Sequence, residues 1–168
     1  MTPDALTPED LTPEGLVEIE LIKQLKYKYL RVLDQHEFDE MRTVLTEDVV
    51  ARYSDGKYSF DGIEAVITFL KESMGSERFL SSHAVHHPEI TLHGDGTASG
   101  IWKLEDSVIV GEHDVNIHGA AFYYDDYVKT DEGWRIKSTG YRRIFEEMYP
   151  RAGVEGLTLM SDWFTNET

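Results

Sequence analysis

Apolar side chains recur at three- and four-residue steps from Glu14 to about His36, where Ile19, Ile22, Leu25, Tyr29 and Leu33 form one stripe. That is the period of an amphipathic helix. A shorter stripe from Glu37 to Leu45 puts Phe38, Met41 and Leu45 on one side, and a third, Gly62 to Met74, carries Val66, Ile67, Phe69 and Leu70. Both predict helices. Between them Val49 to Tyr53 reads as a strand, and Asp55-Gly56 is a hairpin turn signal between Arg52-Tyr53 and Tyr58-Ser59-Phe60. After Gly75 the pattern changes to long strands: Phe79 to His93, Thr97 to Val110, Ala120 to Lys129 and Trp134 to Phe145. Gly94-Asp95-Gly96, a polar loop from Gly111 to Gly119, and Thr130 to Gly133 separate them. Helices followed by a run of antiparallel strands specify an α+β domain. A curved antiparallel sheet folded around the helices leaves a conical cavity, the default place for a ligand.

The chain starts with three Thr-Pro-acid units, at Thr2, Thr7 and Thr12. Proline forbids a continuous helix through them. Each unit has the form of a helix start, with Thr as cap, Pro at the first position and an acid in the first turn. Residues 1–13 are therefore expected to be a loose arm whose third unit launches the first helix. Residues 14–150 form the domain. Residues 151–168 form a tail whose Leu157, Leu159, Met160, Trp163 and Phe164 are expected to make subunit contacts, because a small domain does not cover such a strip alone.

Composition narrows the function. At 168 residues the chain is long enough for one core. The 32 acidic residues against 16 basic ones give a net charge of −16, which repels phosphate backbones and argues against nucleic acid. No apolar run is long enough for a membrane span and no signal peptide is recognisable, so a cytoplasmic protein is expected. The absence of cysteine removes disulfides and thiolate chemistry. No nucleotide, phosphate-loop or zinc motif is present, and no cofactor or metal is expected. His83, His86 and His87 do not make a three-histidine site, because strand parity turns His86 away from the other two. A two-histidine site with a carboxylate stays open.

Four residues carry the candidate chemistry. Tyr29 lies within the first helix stripe, as either a core tyrosine or a phenol donor aimed into the cavity. Asp34 follows five residues later, about 140° around an ideal helix, so it can share Tyr29's pocket only where the helix ends; otherwise it is an exposed acid or a cap. His83 alternates with Ser81, Val85 and His87 on one strand face, and an imidazole with an ordinary pKa of about 6.5 suits a general base. Asp106 has the parity of Ala98, Gly100, Trp102 and Leu104, an inward and mostly apolar face. A carboxyl there either faces water at the strand end or serves as an acid. Tyr53, Trp102, Phe122, Tyr123 and Tyr141 are the aromatic candidates for a cavity wall, which suits a flat polycyclic ligand and equally an ordinary core.

The element order, with the strings Tyr29-Leu30-Arg31-Val32-Leu33-Asp34, Ser82-His83 and Gly133-Trp134-Arg135-Ile136, resembles the NTF2-like superfamily in its SnoaL-like branch. A closer resemblance is to the bile acid 7α-dehydratases. It rests on Ile22-Lys23-Gln24-Leu25-Lys26, Tyr53-Ser54, His87-Pro88-Glu89-Ile90-Thr91, Leu104-Glu105-Asp106, Ala121-Phe122-Tyr123 and Thr139-Gly140-Tyr141. Scytalone dehydratase and ketosteroid isomerase share the scaffold. The resemblance implies an NTF2-like cone and a cofactor-independent hydro-lyase acting on a steroid-like hydroxy-enone. It makes Tyr29, Asp34, His83 and Asp106 the catalytic set and implies a homo-oligomer, a trimer for the dehydratases. The segment Gly111 to His118 departs from the family pattern and is expected to line the mouth, with His118 facing substrate; Lys103 also stands in place of an aromatic. A steroid-type isomerase and a non-catalytic ligand-binding module are the alternatives on this scaffold.

Overall fold

A computed structural model describes residues 11–165. Residues 1–10 of the arm and 166–168 of the tail lie outside the described residues. The third Thr-Pro-acid unit opens helix α1, Pro13–Asp34, with the Thr12 hydroxyl accepting from the Gly15 N–H at 3.0 Å, Pro in the first turn and Glu14 behind it. A short 3-10 helix, Phe38–Thr43, follows. Strands β1 (Leu45–Tyr53) and β2 (Tyr58–Asp61) make the predicted hairpin, with Tyr53 opposite Tyr58. Helix α2 spans Ile63–Met74. Four long strands complete the chain: β3 (Phe79–Leu92), β4 (Thr97–Val110), β5 (Val115–Thr130) and β6 (Gly133–Pro150). Among the described residues no helix is long and apolar enough to cross a membrane.

The strands form one six-stranded sheet in the order β2-β1-β6-β5-β4-β3. The α+β cone is thus as expected, with one correction. The sheet is mixed, because β1 runs parallel to β6, pairing Arg52 with Gly140. A parallel neighbour needs a long crossover, and the whole α2–β5 segment supplies it. Sequence pattern reveals strands but not the order in which they pair.

The inward face of β4 reads Ala98, Trp102 and Leu104, all buried, alternating with outward residues. These pack against Ile22, Tyr29 and Leu33 of α1 and Val66, Ile67 and Leu70 of α2 in a single core. The polar loop is shorter than the sequence indicated. Residues 115–119 are paired with β4 and β6 rather than draped over the mouth, with His118 opposite Ser107. Only 111–114 turn the chain, with Asp114 in the left-handed region at φ 50°.

Candidate functional site

Asp34 is the last residue of α1, which is how an acid five positions from Tyr29 can leave the helix stripe. A carboxylate at a helix C-terminus faces the negative end of the helix dipole, an arrangement that costs about 0.3–1 kcal/mol. Three donors from one strand compensate. Ser81 Oγ donates to Oδ1 at 2.8 Å, the His83 backbone N–H donates to Oδ2 at 2.9 Å, and His83 Nδ1 lies 2.6 Å from Oδ1. A carboxylate only accepts, so Nδ1 carries the proton and Nε2 keeps its lone pair. The His83 side chain is 11% exposed and that of Asp34 is 22% exposed. This is an oriented imidazole with its basic nitrogen turned away from the carboxylate.

Asp106 lies directly across the ladder from His83 and is 3% exposed. The side chain turns inward, as its parity indicated, and both oxygens are held by Arg143, Nη1 on Oδ1 and Nη2 on Oδ2, the latter at 3.0 Å. A bulge on β6 at Ile144, where Ala120 pairs with Phe145 and Ala121 with Arg143, shifts the register beside Arg143, and bulges re-aim side chains. Gly119 leaves the room: a Cβ there would sit 2.7 Å from Arg143 Nη1. Sequence reading missed Arg143. Its signal was a basic residue with the inward parity of Tyr141.

Tyr29 is 1% exposed, and its hydroxyl meets that of Tyr53 at 3.0 Å. Burial, reinforced by the neighbouring Tyr53 and Tyr123, holds its phenol protonated well above the usual tyrosine range, so it is a neutral donor. No direct bond joins it to His83. Instead contacts run from Tyr53 to the Tyr141 ring at 5.9 Å, from that ring to the Arg143 guanidinium at 4.8 Å, and so to Asp106 beside His83.

The aromatic candidates divide. Tyr53, Trp102 and Tyr123 are 5%, 0% and 2% exposed and belong to the core cluster. Tyr141 is half-buried, its hydroxyl 3.0 Å from Ser54 Oγ. Phe122 and His118 are corrected: they lie on the sheet face away from the helices. Strand alternation puts Phe122 opposite Tyr123's face, next to Lys103. His118 is exposed beside Ser107 and Phe145. His87 is also removed from His83's face, because a bulge between His86 and Glu89 breaks the alternation and puts His87 at φ 49°.

A second polar group was also missed. Lys26 and Asp125 are wholly buried, with Nζ 2.7 Å from Oδ2. The ammonium lies over the Tyr123 and Tyr29 rings at 3.5 and 4.8 Å, and Asp125 accepts from Tyr127 Oη and Thr139 Oγ1. A lysine inside an apolar stripe and an aspartate between two inward tyrosines were its sequence signals. Among the described residues no group of three His, Asp or Glu side chains is placed to hold a metal ion. A groove of about 590 Å³ lies on the outer sheet face, bordered by Arg52, Ile101, Tyr124, Asp126 and Arg142, and it includes none of Tyr29, Asp34, His83 or Asp106.

The family model of the SnoaL-like domain matches residues 15–140. An uncharacterized protein of Mycobacterium tuberculosis (strain ATCC 25618 / H37Rv) is 26% identical over 132 residues, covering 76% of this chain and 86% of the relative. Among solved structures, a putative scytalone dehydratase from Novosphingobium aromaticivorans superposes with a TM-score of 0.74 at 21% identity, over 80% of this chain and 89% of that one. A hexachlorocyclohexane dehydrochlorinase, LinA-type3, from Novosphingobium barchaimii gives 0.72 at 16% identity, over 86% and 97%. At these identities the structural likeness is one of fold.

Proposed function

The chain belongs to the SnoaL-like domain family, and from that premise we propose that it is a cofactor-independent dehydratase. The observation that carries the reading is the Asp34–His83 pair, which leaves one imidazole nitrogen free as a base. The structural neighbours named as a dehydratase and a dehydrochlorinase support an elimination on this scaffold.

In the proposed reaction His83 Nε2 takes a proton from carbon activated by a conjugated carbonyl. The electron pair of that C–H bond moves into the conjugated enolate, whose oxygen is stabilised by the Tyr29 phenol. Such a donor is worth about 3–4 kcal/mol of barrier. The enolate then expels the hydroxyl, and the Nε2 proton goes to it, so that water leaves and the imidazole returns to neutral. Asp34 fixes the ring and favours its charged state between the two steps. Asp106, bonded through both oxygens to Arg143, serves as the anchor of that guanidinium beside the base rather than as the acid. Acid–base catalysis of this kind contributes on the order of 10²–10⁴ in rate.

The finer proposal is a steroid-like hydroxy-enone as substrate, in the manner of the bile acid 7α-dehydratases. The test is to incubate the protein with 3-oxo-4-ene steroids bearing a 7-hydroxyl and to follow the longer-wavelength absorbance of an extended dienone, with product mass. Loss of water supports the dehydratase. A product of unchanged mass makes it an isomerase, and binding without any product makes it a ligand-binding module. His83→Ala should abolish turnover with the fold intact; retained activity removes His83 as the base. The same reading proposes a homo-oligomer, with a trimer favoured and the exposed Met160 and Trp163 of the tail among its contacts. Sedimentation equilibrium at the monomer mass would overturn it.

A further inference from the structure

The tail is tied down at two points. Near its start the Arg151 N–H donates to the Asp114 carbonyl at 2.8 Å, and Nη1 donates to Asn116 Oδ1 at 2.7 Å. Near its end Asp162 accepts from the N–H groups of Phe164 and Thr165 and from the Thr165 hydroxyl, at 2.7–2.9 Å. That turn presents the Phe164 ring to His36, with ring centres 4.4 Å apart and planes at 30°. His36 also stacks on Phe38 at 5.3 Å. The residues between the two ties, Leu157, Leu159 and Met160, are exposed, whereas Phe164 is half-buried. The far end of the tail thus leans on one imidazole.

That imidazole occupies a telling place. His36 sits in the left-handed region at φ 58° in the turn that ends α1, two residues after Asp34. It has a backbone hydrogen bond to Phe79, the first residue of the strand that carries Ser81 and His83. Its Nε2 is buried with no hydrogen-bond partner. We propose that the Phe164–His36 stack is an acid-released clasp: the neutral imidazole holds the tail on the α1–β3 junction, and proton uptake frees it.

Protonation puts an N–H on Nε2, where it meets no acceptor while the ring stays covered. The charged donor gains water only when Phe164 lifts. Asp34 on α1 favours the charged ring, but Ser81 and His83 already engage its carboxylate. Glu37 pairs with Arg31 at 3.0 Å. The 3-10 helix places the Phe38 ring against His36, and β3 the Phe79 backbone. On the tail, Asp162 is spent on its own turn, which holds its carboxyl below the usual range, so it stays charged through the window and cannot cause the release. Burial outweighs the attraction of Asp34 and lowers the His36 pKa. A histidine depressed by the closed state binds its proton more readily when open. Closure is therefore complete above the free value of about 6.5 and weakens as pH falls below it.

The test is hydrogen exchange at the Phe164 and Thr165 amides, and it does not depend on the dehydratase reading. In the full chain these amides should be protected at about pH 7.5, and their protection factors should fall by up to about tenfold per pH unit below about 6.5. Phe164→Ala should leave them unprotected throughout. His36→Asn, which tolerates the left-handed turn, should abolish the pH dependence. Equal protection at about pH 7.5 and about pH 5.5, or a pH dependence that survives in His36→Asn, overturns the clasp.

Discussion

Among single residues, Arg143 has the most lopsided balance. It holds a carboxylate that is almost wholly buried, and removing one partner of such a pair strands the other. Arg143→Met should therefore cost on the order of 3 kcal/mol in urea unfolding, while the double change Arg143→Met with Asp106→Leu should recover most of it. A full, unrelieved loss in the double variant would show that Arg143 stabilises through other contacts. The residue scale is also where the sequence was least complete. Asp34, His83 and Asp106 stand out as polar residues at inward or terminal positions, and the fold brings Asp34, at the end of α1, against the stretch of sheet that carries His83 and Asp106. Arg143, Lys26 and Asp125 did not stand out. A charged residue within an apolar pattern reads as an interruption until its partner is known, and these partners lie 37 and 99 positions away.

Bulges and turns decide where the elements aim these groups. The offset between β5 and β6 brings Arg143 over Gly119. In Gly119→Ala the new methyl would displace the guanidinium, and it would also crowd the Phe145 carbonyl at 3.2 Å. Overpacking of this kind costs about 1–3 kcal/mol. Chemical denaturation should show that loss, and a wild-type midpoint would mean that Arg143 reaches Asp106 by another route. Helix limits and strand existence were legible because period and capping are local. Thr12, Pro13 and Glu14 marked the start of α1 correctly. The outward turn of Phe122 was legible from its alternation with Tyr123, but the parallel docking of β1 on β6 and the extension of β5 to Val115 were not. Pairing partners and bulges are set by contacts between distant segments.

For the whole molecule, the interior is unusually rich in hydroxyls and charge. Burial raises the pKa of Tyr29, Tyr53, Tyr123 and Tyr127. A phenol whose folded pKa is raised contributes its full stability below the unfolded value and loses it as pH climbs. Above about pH 10 each should subtract up to about 1.4 kcal/mol per pH unit. Lys26 acts in the opposite sense: burial depresses it despite Asp125, so its contribution improves up to about pH 10.5 and is then constant. One lysine against four tyrosines predicts a steep alkaline transition in which tyrosinate absorbance and loss of circular dichroism coincide. Gradual ionisation of a still folded protein would contradict it. The parallel seam between β1 and β6 adds a constraint in time. Strand β1 leaves the ribosome some 88 positions ahead of the strand it must join, and such distant pairings are slow to form. The β1–β2 hairpin must therefore wait, half its ladder unmet, until the last strand emerges. Refolding should show the α2–β5 region gaining order before the N-terminal hairpin, and a chain cut short before Gly133 should never close its sheet.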